Sequence, residues 1–196
     1  FWQNLAPLLL DQCAPRYGYV AEAGYWQDIG SLPQCLDANR YLLDGKVRAA
    51  IEGIEFEGRF YIGATTGIDS LENVKGPAFI GDYAKIDPRA RIMPYSVLGK
   101  NVVVKGYAET RHSVVDTNSY IGASSKVYGS IVGKNVDIKE GVTLSEGVAV
   151  GDECMVNEQA YVAPGVRIYP FKTVESGAQV NSSIIWESRV TSQLFS

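Results

Sequence analysis

From residue 62 onward, aliphatic side chains recur every six residues. Ile62, Ile68, Val74, Ile80, Ile86, Ile92, Leu98 and Val104 share one phase. The phase slips by one residue near Thr110, resumes at Val115, Ile121 and Val127, and slips again before Val132. It then holds through Val180, and all twenty positions are Ile, Leu or Val. Four residues after the aliphatic stands a small or β-branched side chain, as at Ala78, Ala84, Ser96, Val136 and Cys154, with Glu72 and Lys172 as departures. A period of six suits neither an α-helix nor an alternating hairpin strand. It predicts a parallel β-helix, each coil made of three strand-and-corner units with the aliphatics pointing into a prism. At about 18 residues per coil, about six to seven coils follow. One coil buries about three aliphatics, so the stack must be cooperative. Gly follows the aliphatic at Gly63, Gly81, Gly99, Gly122, Gly133 and Gly151, and stands three after it at Gly141, Gly147, Gly165 and Gly177. Both sets read as tight corners with positive φ. Each phase slip predicts a coil cut short or a bulging loop.

The first fifty residues follow a different pattern, mixed α/β. Leu5 to Leu10 is an apolar run that helix or strand could hold, with Asn4 a candidate cap. Tyr17-Gly18-Tyr19-Val20 and Tyr25-Trp26-Gln27 are short aromatic strand candidates. Leu32, Cys35, Leu36, Asn39, Leu42 and Leu43 recur at helical spacing, with Ser31 as N-cap, Pro33 in the first turn and Gly45 as the stop. These elements enclose no core, so the segment needs a larger body to pack on. The chain divides into 1–50, an α/β remnant; 51–186, the β-helix; and 187–196, a tail or linker.

Composition narrows the chemistry. One His excludes a multi-His zinc or iron site built by this chain alone. Cys13, Cys35 and Cys154 have no C-x-x-C spacing, which excludes a zinc ribbon and an all-paired disulfide scaffold; they read as reduced thiols, Cys154 as a small buried hydrophobe. A net charge of −4 without a basic block argues against nucleic acid, and no apolar run is long enough to cross a bilayer as a helix. The start at Phe1, without Met or signal pattern, reads as the start of a fragment or a processed product.

The hexapeptides Ile80-Gly81-Asp82-Tyr83-Ala84-Lys85 and Val150-Gly151-Asp152-Glu153-Cys154-Met155 resemble hexapeptide-repeat domains, whose fold is a left-handed parallel β-helix. Parallel crossovers are normally right-handed, so the hand comes from the resemblance alone. Gly24-Tyr25-Trp26-Gln27-Asp28-Ile29-Gly30 before a helix resembles the end of the catalytic domain of nucleotide-sugar pyrophosphorylases. Ser113-Val114-Val115, Ser130-Ile131-Val132 and Ser183-Ile184-Ile185-Trp186 resemble β-helix coils of the same group, which includes mannose-1-phosphate guanylyltransferases and glucose-1-phosphate adenylyl- and thymidylyltransferases.

The resemblance implies a cytoplasmic nucleotidyltransferase that binds GTP and mannose 1-phosphate and forms GDP-mannose and pyrophosphate. It implies Mg²⁺ as cofactor, with Asp28 as a metal ligand; the alternative for Asp28 is a turn cap. It also implies a homo-oligomer through the β-helix. Leu194-Phe195-Ser196 resembles a junction to a downstream phosphomannomutase-like domain. The family's Gly-rich nucleotide loop with its Thr-Arg pair, its first metal-binding Asp and its sugar-phosphate Lys have no counterpart here. No catalytic residue is therefore assigned, and the fragment alone is expected to be inactive. The rivals are a hexapeptide acyltransferase and a non-catalytic regulatory or assembly β-helix. For the acyltransferase His112 would be the base, and its bland alternative is a surface His at a corner. Arg89, Arg91, Arg111 and Arg167 are candidates for an anionic effector, against solvated faces. Tyr83, Tyr95 and Tyr107, twelve residues apart, would form a ladder or a subunit contact.

Overall fold

The computed structural model describes residues 5–13, 15, 17, 19–20, 24–56, 60–68, 71–185 and 189–190. The proposed cap Asn4 and the Leu194-Phe195-Ser196 junction lie outside them. The six-residue period becomes three parallel sheets wrapped around one core. In the first sheet, parallel strands stack from Phe60–Ile62 through Ala78–Ile80, Ser96–Leu98, Val114–Val115, Ile131–Val132 and Ala149–Val150 to Arg167–Ile168, which spans six turns. An antiparallel strand, β1 (Ile54–Phe56), pairs with β2 (Phe60–Ile62) at the lower end. The second sheet runs from Gly67–Ile68 up to Arg189–Val190, so pairing continues past residue 186. The third runs from Arg91–Ile92 up to Gln179–Val180.

The core is the predicted one. Ile80, Ile92, Leu98, Ile121, Ile138 and Leu144 are fully enclosed, and so are the corner residues Ala78, Ala84, Val102 and Val142. Coils are 18 residues apart at Ile62↔Ile80↔Leu98 but 17 apart at Leu98↔Val115↔Val132. The phase slips are thus coils shortened by one residue, and no loop bulges. At each shortened corner the left-handed residue falls two after the inward side chain, at His112 (φ 47) and Gly129 (φ 53), instead of three after it. Thr110 takes the inward place at the first slip, fully buried, and donates to Ser96 Oγ at 3.0 Å.

Buried corner serines knit these coils together. Ser113, Ser119 and Ser125 donate to the carbonyls of Val127, Gly133 and Lys139, at 2.7–3.1 Å. Each accepts in turn from the N–H of Ser130, Val136 and Val142, at 3.1 Å. Cys154 Sγ makes the same pair of contacts, to Tyr169 O and from Lys172 N. A hydroxyl with both partners escapes the penalty of an unpaired buried polar group. Cys154 is the small buried residue expected, but as a polar link between coils as well as a hydrophobe.

The two sets of glycines have different causes, which corrects the single reading given above. Those three after the aliphatic do adopt positive φ, as at Gly165 (φ +74). Those immediately after it do not; they sit where the next coil passes close, so a Cβ on Gly122 would lie 2.5 Å from the Lys139 carbonyl carbon. Most left-handed corners carry side chains instead. Asn101, Asn118 and Asn135 stack on one corner, each amide donating to the next residue up, and Asn135 donates to Glu153. Tyr83, Tyr95 and Tyr107 fall on three different corners because a coil has three and they are twelve apart, so they form no ladder.

Ahead of the β-helix, Leu5–Asp11 settles as a short helix, α1, with no buried residue. The helix predicted after Ser31 is α2 (Leu32–Leu43), capped by Ser31 with Pro33 in its first turn, and Gly45 follows at φ +71. The strands expected at 17–20 and 25–27 are absent among the described residues. Tyr17, Tyr19 and Val20 are almost fully exposed and have no neighbouring strand to pair with, and a lone extended segment gains neither ladder bonds nor burial.

Candidate functional site

Among the described residues, two places combine polar side chains with a loop or groove that a ligand could reach. The first is the loop that leads into α2. Ser31 Oγ accepts from the Gln34 amide and donates to the Gln34 side chain. Gln27 Nε2 donates to the Gln34 carbonyl at 3.2 Å, and the Tyr25 hydroxyl donates to the Gln27 side chain. Tyr25 also packs edge-on against Tyr41 at 5.8 Å. These contacts fasten the loop on both sides of Asp28, whose carboxylate is exposed. The carboxylate folds back over Gly30, where a Cβ would lie 3.1 Å from Oδ2. The sequence motif thus presents one carboxylate on an anchored loop just before a helix. Among the described residues no three His, Cys, Asp or Glu gather to hold a metal ion. Asp28 can therefore supply one ligand to a hard cation that takes its other oxygens elsewhere, but the described residues build no self-sufficient cation site.

The second place is an open groove of about 470 Å³ on the corner between the second and third sheets. It exists because Gly122 and Ala123 are small while Lys139 and Glu140 of the next coil stand proud; Lys105, Tyr120, Asp137 and Glu158 complete it. Its charges are largely satisfied among themselves. Lys139 Nζ lies 2.6 Å from Asp137 Oδ2, and this hydrogen bond raises the lysine pKa. Glu158 is held below the usual carboxylate range by a bond from its own backbone N–H, then by the Ser176 hydroxyl and by Lys139. Asp137 Oδ1 is closed to solvent without a partner, which fixes a cost but offers no accessible atom to a ligand.

The remaining candidates are dispersed. His112 is half-buried on a corner, edge-on to Tyr95 at 6.2 Å, with Nε2 enclosed and unpartnered. That placement does not present a base to an acceptor. Arg89 is bound to Asp87, Arg91 to Glu109 at 2.9 Å, and Arg111 to Glu146 while lying over Tyr128. Arg89 holds the Asp87 carboxyl below its usual range. Arg91 and Arg111 share the third sheet beside Tyr128, but Arg89, Arg91 and Arg111 are each already paired with a carboxylate, which leaves no unneutralised cluster for an anion. The hydrogen bonds by which the buried corner serines link successive coils, and the Asn101–Asn118–Asn135 ladder, were missed by sequence reasoning. The signal was present as Ser at the corner positions around both phase slips.

Comparisons with known proteins bear on both places. The chain is 27% identical over 177 residues to a glucose-1-phosphate adenylyltransferase of Bacillus cytotoxicus, covering 85% of this chain and 42% of that protein. It is 30% identical over 137 residues to a glucose-1-phosphate thymidylyltransferase of Streptomyces antibioticus, covering 67% and 37%. The chain thus spans about two-fifths of the length of these relatives. Among solved structures, the acetyltransferase domain of PglB from Neisseria gonorrhoeae FA1090 aligns with a TM-score of 0.51 at 22% identity, over 53% of this chain and 51% of that one, a likeness of fold alone. The GMPPB C-terminal domain family matches residues 74–192. That match takes in more than half of the chain and nearly all of the β-helix, so the chain belongs to the GMPPB C-terminal domain family.

Proposed function

We propose that this chain is the C-terminal part of a sugar-1-phosphate nucleotidyltransferase that uses GTP and mannose 1-phosphate. The observation that carries the reading is the anchored Trp26-Gln27-Asp28-Ile29-Gly30 loop running into a capped helix, directly ahead of a β-helix of the matched family. Relatives named for glucose 1-phosphate support the reaction class. Mannose and guanine are taken from the resemblance to mannose-1-phosphate guanylyltransferases; the Ser-Val/Ile-Val coils are shared with the glucose-1-phosphate enzymes and support the group as a whole. In this reaction a sugar-phosphate oxygen attacks the α-phosphorus of the nucleotide, forming one P–O bond while the bond to pyrophosphate breaks. Asp28 would hold Mg²⁺, which when bound offsets the charge of the phosphate oxygens. The chain's own contribution is to place that carboxylate: Gln27 and Ser31 pin the loop to α2, and Gly30 leaves room for it.

The β-helix serves as packing body and homo-oligomer contact, and a phosphomannomutase-like domain follows it. Among the described residues no helix is long and apolar enough to cross a membrane; the proposed location is the cytoplasm. The test is pyrophosphate release by the full-length protein with Mg²⁺, comparing GTP with mannose 1-phosphate against ATP or dTTP with glucose 1-phosphate. Preference for the first pair is expected, with a loss of at least about 100-fold in kcat for Asp28→Asn. Turnover with a glucose pair alone would overturn the mannose assignment. Acetyl transfer from acetyl-CoA without nucleotidyl transfer would overturn the class.

A further inference from the structure

The segment ahead of α2 alternates its side chains. Tyr25 and Gln27 bond to each other and to α2, while Trp26 and Asp28 are exposed. This is the two-residue alternation of an extended backbone, so whatever holds Tyr25 and Gln27 also decides where Asp28 is presented.

The Gln27 amide can face only one way. The Gln34 carbonyl accepts and never donates, so Gln27 Nε2 must lie against it, at 3.2 Å. That leaves Oε1 toward Tyr25, whose hydroxyl must then donate. Desolvation, then Tyr41 and Asp37, raises the Tyr25 pKa, so the hydroxyl keeps this proton in mildly alkaline solution. One hydroxyl thus fixes the amide, and the amide ties the loop to the first turn of α2.

Tyr25 has its own support. Its ring meets Tyr41 of α2 edge-on at 5.8 Å. Lys46 Nζ and Arg40 Cζ lie 4.8 and 5.1 Å from the centre of the Tyr41 ring. Lys46 is held by Asp44 at 3.6 Å, and Asp44 accepts the Tyr95 hydroxyl of the β-helix at 3.1 Å. All of residues 24–30 except Gln27 are exposed. Burial therefore steadies this loop little, and the link from Tyr25 through Gln27 to Gln34 steadies it instead.

We infer that Tyr25 is a positioning residue for Asp28: its hydroxyl orients the Gln27 amide, and that amide sets the direction in which the next residue, Asp28, offers its carboxylate to Mg²⁺. This rests on the nucleotidyltransferase reading of Asp28. Tyr25 acts through Gln27 and supplies no ligand, so its effect belongs to cation affinity and not to the chemical step.

The test is Tyr25→Phe in the full-length protein, which removes one oxygen and keeps the ring against Tyr41. Without substrate, amide hydrogen exchange across residues 26–30 should rise by about 3- to 10-fold, the effect of one hydrogen bond, with the β-helix strands unchanged. In turnover, the Mg²⁺ concentration for half-maximal rate should rise by a similar factor, while kcat at saturating Mg²⁺ stays within about 2-fold of wild type. A lower kcat at unchanged Mg²⁺ dependence is what lost folded protein would give, and it would overturn the inference. Gln27→Met removes both bonds and should match or exceed Tyr25→Phe; adding Tyr25→Phe to it should change nothing further. Additive effects would overturn the route through Gln27. Asp28→Asn, measured alongside, tests the parent reading. Wild-type behaviour of Tyr25→Phe beside a crippled Asp28→Asn overturns this inference and leaves that reading standing. An unimpaired Asp28→Asn removes the reading, and the role of Tyr25 toward Mg²⁺ with it.

Discussion

Gly122 and Gly165 differ in what a methyl group would meet, and the difference can be measured. Gly165 lies at φ +74 with nothing within 4 Å of the added carbon, so Gly165→Ala faces only the left-handed backbone, about 1 kcal/mol. Gly122 has an ordinary φ, and in open space an alanine there would stabilise by about 0.4–1 kcal/mol through the unfolded chain. Its Cβ, however, would lie 2.5 Å from Lys139 C and 2.6 Å from Glu140 N. Both are backbone atoms of a corner that hydrogen bonds tie to the coils on either side, through Ser125 Oγ to Lys139 O and Lys139 N to Val156 O, so the coils must separate. That places the cost near the upper end of overpacking, about 3 kcal/mol. For a chain of this length about 1 kcal/mol moves Tm by about 2–4 °C. Thermal unfolding followed by circular dichroism should therefore show a fall of about 6–12 °C for Gly122→Ala and about 2–4 °C for Gly165→Ala. Gly165→Asn should recover most of its loss, because Asn101, Asn118 and Asn135 occupy the same backbone region. If Gly122→Ala were as mild as Gly165→Ala, the account of the first glycine set as close-approach positions would be wrong.

Four further outcomes are expected. Leu144→Ala empties a fully enclosed site and should cost about 2–5 kcal/mol in denaturant unfolding. Asn118→Ala breaks two ladder bonds and strains φ +61, for a loss of about 1–3 kcal/mol, of which Asn118→Gly should restore only the backbone part. Burial raises the Cys154 thiol pKa, so at pH 8 a thiol reagent should modify exposed Cys13 quickly and Cys154 only on unfolding. The raised pKa of Lys139 contributes stability that is complete below its unfolded value of about 10.5 and lost as pH climbs through the folded value. Lys139→Met should thus cost up to about 1 kcal/mol at pH 7–10, with the gap to wild type closing at more alkaline pH.

The β-helix was legible because each coil repeats one physical demand. An inward position at zero exposure calls for an aliphatic of the right size, with Thr110 the one polar side chain in the series, and that demand recurs at Ile80, Ile92, Leu98 and Ile138 until the pattern cannot be missed. The phase slips were legible for the same reason, but their form was not. One deleted residue and one looped-out residue disturb the period alike, and only the 17-residue register and the left-handed residues His112 and Gly129, two after the inward side chain, show that the turn is tightened. The glycine sets were misread together because a missing Cβ answers two different needs, a left-handed φ and a neighbouring backbone, and composition does not separate them. Strands at 17–20 failed because strand character there depends on a partner strand, which a local pattern cannot supply. Asp28 lies at the same limit. Its loop is set locally by Gln27, Ser31 and Gly30, so its exposure and its anchoring follow from neighbours in sequence. A cation's remaining ligands come from groups distant in the chain or from substrate, and no local pattern reports them. The scaffold was therefore readable from spacing and the Asp28 loop from resemblance, while the chemistry depends on what meets that carboxylate across the site.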